Sequence, residues 1–169
     1  MYFNCHYTSR FREIAICAVY AAVGFGLAFV LSTYVLFGVV VQGYSMYSTI
    51  PPQSRVYGLR VPFMRGQHAR GDIVIMTSPV PQRFSEPAIK RIVGLPGEEI
   101  ATINGIVHIN GTPFDEGYLT ESIQGDFASI TIPCGHFFVM GDNRNNSRDS
   151  RYWGPICAST IIGRIFMHR

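Results

Sequence analysis

Two residues far apart in the chain have the types needed for nucleophilic catalysis without histidine. Ser45 stands in Gly43-Tyr44-Ser45-Met46-Tyr47-Ser48-Thr49-Ile50, and Lys90 in Ala88-Ile89-Lys90-Arg91-Ile92-Val93. A serine hydroxyl attacks a carbonyl only when a base takes its proton. Lysine, with an ordinary pKa of about 10.4, is charged at neutral pH, but burial disfavours the charged form and turns the amine into a base. Alternation along a strand gives Lys90 the same face as Ala88 and Ile92, an apolar setting. The two residues together suffice for acyl transfer. Taken singly neither is diagnostic: most serines are turn residues, and a strand lysine commonly extends its amine to water.

A third stretch carries the densest polar chemistry. Residues 141–154, GDNRNNSRDSRYWG, follow the apolar segment His136-Phe137-Phe138-Val139-Met140, so a strand runs into a polar turn. Asn, Asp and Ser side chains bond to nearby backbone, and such a loop can be tightly folded. Asp142 and Asp149 have the types of an acid pair, but Arg144, Arg148 and Arg151 lie between and beside them, which favours ion pairs. The five histidines, His6, His68, His108, His136 and His168, show no ligand spacing, and there is no Cys-x-x-Cys, so no metal is expected.

These residues need a scaffold, and the front of the chain decides where it sits. Residues 14–41 contain no charged side chain. As a helix these 28 positions reach about 42 Å, more than the roughly 30 Å of a bilayer core. The run exceeds the apolar core of a cleaved leader and is expected to be an uncleaved anchor rather than the buried helix of a soluble protein. Arg10 and Arg12 precede it, and the next charge beyond it is Arg55, a bias towards a cytoplasmic N-terminus and an exported body. A net charge of +3 over 169 residues, without a Lys/Arg block, gives nucleic-acid binding little support.

Beyond the anchor the pattern is of short apolar runs separated by Gly, Pro and Asn. Residues 72–76, 88–93, 100–103, 106–109, 128–132, 136–140 and 161–167 read as strands, and Asn104-Gly105 is a strong hairpin signal. Residues 79–87 and 115–126 read as loops, and no amphipathic helix stands out. The fold class is therefore mainly β: a short tail over 1–13, a transmembrane helix over 14–41 and an antiparallel β-rich body over 42–169. Tyr44, Tyr47 and Tyr57, with Val61-Pro62-Phe63-Met64, are candidates either for a surface resting on lipid or for the β core.

Across residues 39–163 the chain resembles the type I signal peptidases, membrane-bound Ser/Lys endopeptidases of family S26. The order of boxes is similar: an anchor, Ser45-Met46, Arg70-Gly71-Asp72, Lys90-Arg91-Ile92-Val93-Gly94-Leu95-Pro96-Gly97, and Gly141-Asp142-Asn143 onward to Gly154. The resemblance implies a signal-peptidase-like catalytic domain with Ser45 as nucleophile and Lys90 as general base. It further implies that Ser147 bonds and orients the Lys90 amine, that Asp149 and Arg151 pair to hold the last box, and that Met46 lines the site beside the peptide. Two departures stand out. Ser48-Thr49-Ile50 replaces the usual Pro-Thr-Leu, and Gly43 stands where some members have a serine that donates to the oxyanion hole.

The resemblance also implies the partners: signal peptides of exported preproteins and membrane lipid, without cofactor, metal or nucleic acid. The location implied is the cell (inner) membrane, crossed once, with the N-terminus cytoplasmic and the catalytic domain outside. The alternatives are a relative dedicated to one substrate, a catalytically dead peptide-binding protein, and a soluble self-cleaving Ser/Lys protease, which would lack the anchor. Cys5 and Cys17 fall in the tail or anchor, so only Cys134 and Cys157 can meet in an oxidising compartment, and whether they bond is left open.

Overall fold

The computed structural model describes residues 5–60, 68–77 and 87–168, with side chains described over 10–60, 68–77 and 87–166. The expected loop over 79–87 lies outside the described residues except for Pro87, and Val61-Pro62-Phe63-Met64 lies outside them altogether. The chain divides into two units, Met1–Leu36 and Phe37–Arg169.

The first unit is helical. Helix α1 runs over Cys5–Val30 and widens into a π-helical turn at Leu31–Val35, where the Ser32 hydroxyl donates to the Phe29 carbonyl at 3.0 Å. Arg10–Val35 is long and apolar enough to cross a membrane, and large apolar side chains such as Phe25, Leu27 and Phe29 are exposed along it. The extent differs from the expected 14–41 at both ends. Helical geometry stops at Val35, Leu36 is extended, and β1 occupies Leu36–Val40. Val39 and Val40 are β-branched residues suited to an extended strand, and this strand has an edge to pair with. The body thus begins near Phe37, not at residue 42.

Among the described residues, ten further strands build the second unit: β2 (Arg55–Arg60), β3 (Ile73–Met76), β4 (Ala88–Gly94), β5 (Glu99–Ile103), β6 (Ile106–Ile109), β7 (Thr112–Pro113), β8 (Phe127–Thr131), β9 (His136–Met140), β10 (Ile156–Cys157) and β11 (Ile161–His168). One sheet has the order β1-β2-β11-β3-β4-β9-β10 and the other β7-β6-β5-β8, and the strand pairs with a resolved register are antiparallel. The ring of Phe37 crosses two glycines. A Cβ on Gly58 or Gly163 would come within 2.3 or 2.4 Å of it, so the seat of β1 on β2 and β11 depends on their missing side chains. Asn104-Gly105 and Asn110-Gly111 turn the chain at β5–β6 and β6–β7, all four residues with positive φ as a type I′ hairpin requires.

Among the described residues, three apolar clusters fill the body. Val41, Met46, Ile50, Val56, Ile75, Ile89 and Ile165 pack under the Ser45 turn; Val74, Met76, Ile92, Val139 and Ile156 pack around β3, β4 and β9; Phe138, Met140, Val93, Ile100 and Val107 join the two sheets. Strand β4 is buried along almost its whole length, with β3 and β9 on either side. It is the strand that carries Lys90 and Arg91.

Candidate active site

Ser45 sits in a compact turn closed by Tyr47 N–H to Tyr44 C=O at 3.1 Å, Thr49 N–H to Met46 C=O at 2.9 Å and Ile50 N–H to Met46 C=O at 2.6 Å. The turn is anchored from below. Met46 and Ile50 are completely or almost completely buried, and the Met46 sulfur accepts the Asp142 N–H at 3.4 Å. With 1% of its surface exposed, Met46 leaves no face for a peptide. This corrects the expectation that it packs beside bound substrate: it fastens the nucleophile turn to the core.

Lys90 reaches this turn from β4, and its Nζ donates to the Ser45 Oγ at 2.7 Å. Its cross-strand partner on β3 is Val74, fully buried, and on the other side the Arg91–Met140 pairing leads directly into Gly141. Burial is the main influence on the amine, and it lowers the pKa from 10.5 to about 8; Asp149 and Asp142 pull it upward and Arg151 pushes it down. The result is an amine poised to exchange a proton near neutral pH.

The polar box folds over this pair as a set of clamps. Asn143 donates its N–H to the Ser45 carbonyl at 3.0 Å and its side-chain amide to the Tyr44 carbonyl at 3.1 Å, so one residue holds two peptide units of the nucleophile turn. Asp142 takes both Nε and Nη2 of Arg91, at 2.8 and 2.6 Å, and also accepts the Thr49 hydroxyl. Asp149 caps the short helix α2 (Ser150–Trp153), pairs with Arg151 at 2.8 Å and accepts the Gly141 N–H at 3.0 Å. The carboxylates are thus used in ion pairs, and the partner of Asp142 is Arg91 on β4, a residue outside the box.

Ser147 is placed differently from the expectation. Its Oγ is buried beside Gly141 without a hydrogen-bond partner among the described residues, so it does not hold the Lys90 amine. A buried hydroxyl without a partner is costly, roughly 1–3 kcal/mol. Gly43 has open space where a side chain would be, and Tyr44, Tyr47 and Tyr57 are exposed rather than in the core. Cys134 and Cys157 are exposed free thiols.

Sequence reasoning did not find Asn143, Thr49, Glu116 or Tyr118 as parts of the site. Asn143 and Thr49 lie inside the boxes and were visible as polar types, but their partners are main-chain groups and a carboxylate from distant segments. Glu116 and Tyr118 lie in the loop over 115–126, which has no periodicity to single out a residue. Tyr118 sits with its ring 4.0 Å from the Arg91 guanidinium and its hydroxyl on Glu116, and Glu116 forms a two-pronged ion pair with Arg144.

A hydroxyl held against a buried amine, on an antiparallel β body that follows a helix long and apolar enough to cross a membrane, is an arrangement that suits a serine peptidase of the Ser/Lys kind. The sequence profile described as "Signal peptidase, peptidase S26" matches residues 13–168, and the chain belongs to this family. It is 32% identical over 144 residues to "Probable signal peptidase I-2" of Synechocystis sp. (83% of this chain, 66% of that protein), and 34% identical over 143 residues to "Signal peptidase I" of Leptolyngbya laminosa (82% and 70%). The chain therefore spans about two thirds of the length of these relatives. The crystal structure of a signal peptidase I from Enterococcus faecalis V583 superposes with a TM-score of 0.53 at 32% identity, covering 59% of this chain and 97% of that one.

Proposed function

We propose that this protein is a signal peptidase that cuts signal peptides from exported preproteins, with Ser45 as nucleophile and Lys90 as general base. The observation that carries the reading is the 2.7 Å contact between Lys90 Nζ and Ser45 Oγ on an amine that burial has lowered to about 8. Neutral Lys90 takes the hydroxyl proton as Ser45 Oγ bonds to the scissile carbonyl carbon. The negative charge on the carbonyl oxygen is met by the Ser45 N–H, which has no hydrogen-bond partner among the described residues. Protonated Lys90 then gives its proton to the leaving amine as the peptide bond breaks. Water, deprotonated by the same amine, hydrolyses the acyl-enzyme and restores Ser45.

Asp142, Asn143 and Asp149 hold this geometry without touching the reacting atoms. A substrate whose apolar segment lies in the bilayer shares a thin layer with an anchored enzyme, which raises their effective concentration. The exposed Tyr44 and Tyr47 flank the nucleophile and suit an interfacial position.

Only neutral Lys90 acts as a base, so the rate is expected to rise with pH in proportion to the unprotonated fraction and to level off above about pH 8. Initial rates of preprotein cleavage in detergent between pH 5 and 10 check this. A profile flat from pH 5 to 8, or one that falls with rising pH over that range, would remove Lys90 as the base.

The Arg10 and Arg12 bias orients the body away from the cytoplasm. Protease added to intact spheroplasts is accordingly expected to digest the body, and protection until lysis would reverse the orientation.

A further inference from the structure

We infer that Glu116, on the loop between β7 and β8, is a positioning residue for the active site and acts through Arg144 on Gly141; the inference rests on the Ser45/Lys90 reading above. Gly141 is the residue on which the site closes. A Cβ built on it would lie 2.5 Å from the Ser45 carbonyl oxygen and 2.3 Å from the Ser147 hydroxyl, so its backbone touches both the nucleophile residue and the one buried hydroxyl of the box that lacks a partner. Its two peptide groups are held from opposite sides. The N–H donates to Asp149 Oδ2 at 3.0 Å, and the carbonyl accepts Arg144 Nε at 3.0 Å.

Arg144 does not stand alone. Its guanidinium is almost wholly buried and meets both oxygens of Glu116, at 2.5 and 2.6 Å. Burial works against that charge, and the Glu116 carboxylate, with smaller help from Tyr118 and Asp142, outweighs it, holding the Arg144 pKa above its ordinary value. The Tyr118 hydroxyl bonds to Glu116, while its ring lies near two guanidiniums, 4.0 Å from that of Arg91 and 5.9 Å from that of Arg144. Each of these arginines has its own carboxylate, Asp142 for Arg91 and Glu116 for Arg144. A loop 28 residues before Arg144 thereby fixes one side of Gly141 and packs against the arginine that fixes Asp142.

A buried ion pair adds little net stability, because desolvation offsets its attraction, but it holds its groups to one geometry. Removing the charge of Glu116 releases the Arg144 guanidinium to swing towards water and frees the Gly141 carbonyl. Glu116 is not among the charges that set the Lys90 amine, so the effect falls on distance and orientation rather than on proton affinity.

The test uses the full chain in detergent, assayed well below the melting midpoint of each variant so that all of it is folded. Glu116→Gln is expected to lower kcat for preprotein cleavage about tenfold or more, as small misplacements of reacting groups do, with KM within about twofold and the midpoint of the pH profile unmoved. If the wild type itself fails to cleave, the functional reading falls. If the wild type cleaves and Glu116→Gln has a kcat within twofold of it, or shifts the pH midpoint instead, the positioning role is overturned. Should the glutamine variant not fold, Glu116→Asp carries the test: a kcat loss of about threefold or more at unchanged KM supports the role, and a kcat within twofold of wild type overturns it.

Discussion

Ser45→Ala and Lys90→Met are each expected to reduce preprotein cleavage to background, with the double variant scarcely slower than either single one, because a nucleophile and its base act as a unit. Lys90→Arg is expected to fail as well, since a guanidinium stays protonated at any working pH. Chelators are expected to leave the rate unchanged, because no step draws on a metal. Lys90→Met also carries a stability signature. The folded-state pKa of Lys90 lies below its unfolded value, so the cost of burying the ammonium is present below about pH 8 and fades as pH rises from 8 towards 10.5. The lowering corresponds to about 3 kcal/mol, so the inactive methionine variant should melt above wild type at pH 7 and approach it near pH 10. Cleavage by Lys90→Met at the wild-type rate would end the Ser/Lys reading, and a variant that melts lower at pH 7 would show that the amine is not held in an apolar setting.

Gly141→Ala is the second change with a large expected effect, and it removes no functional group. The added methyl would lie 2.5 Å from the Ser45 carbonyl oxygen and 2.3 Å from the Ser147 Oγ, closer than real Cβ contacts come. Turning the Ser147 side chain moves its Oγ but not its Cβ, which the methyl would meet at 2.6 Å, and the Ser45 carbonyl is backbone, already fixed by the Asn143 N–H at 3.0 Å, so both must shift with their residues. A displacement near 1 Å at a reacting atom costs on the order of a hundredfold in rate, and overpacking of this kind costs roughly 1–3 kcal/mol of stability. Single-turnover cleavage separates the two effects, since it reports chemistry on the folded fraction. A chemical step within threefold of wild type would show that the close approach of Gly141 to Ser45 is not needed.

The clamp residues explain why short polar side chains stand at this place. Asn143 reaches main-chain carbonyls, Asp149 reaches a main-chain N–H, and Asp142 reaches Arg91. A longer or branched replacement at any of them would keep polarity and lose reach. The free thiols of Cys134 and Cys157 are not part of this frame: β9 and β10 are already joined through the Cys157–His136 and Ile156–Phe137 register.

Much of this protein was legible in one dimension because its signals are local. Short apolar runs bounded by Gly, Pro and Asn located β3, β4, β5, β6, β8, β9 and β11 within a residue or two at each end, and Asn104-Gly105 specified its turn, since φ > 0 at both positions is readily adopted by those residues. The uncharged run marked a membrane-length segment by composition alone. Its boundary was not legible: residues 36–40 are as apolar as the helix, and only the pairing edge of β2 and the glycines under Phe37 make them a strand. Strands β2, β7 and β10 escaped for a similar reason, being edge-near, short or interrupted, so that their neighbours rather than their own patterns define them. Within the site, the types and order of Ser45, Lys90, Asp149 and Arg151 followed from sequence, because reactivity and charge belong to the residue. What tertiary structure decided was distance: the 2.7 Å approach of Lys90 to Ser45, the burial that lowers its amine, the pairing of Asp142 with Arg91, the enclosure of Met46 and the unpartnered Ser147 hydroxyl. Desolvation and contact depend on which segments fold against one another, and in this chain those segments lie 45, 51 and 96 residues apart.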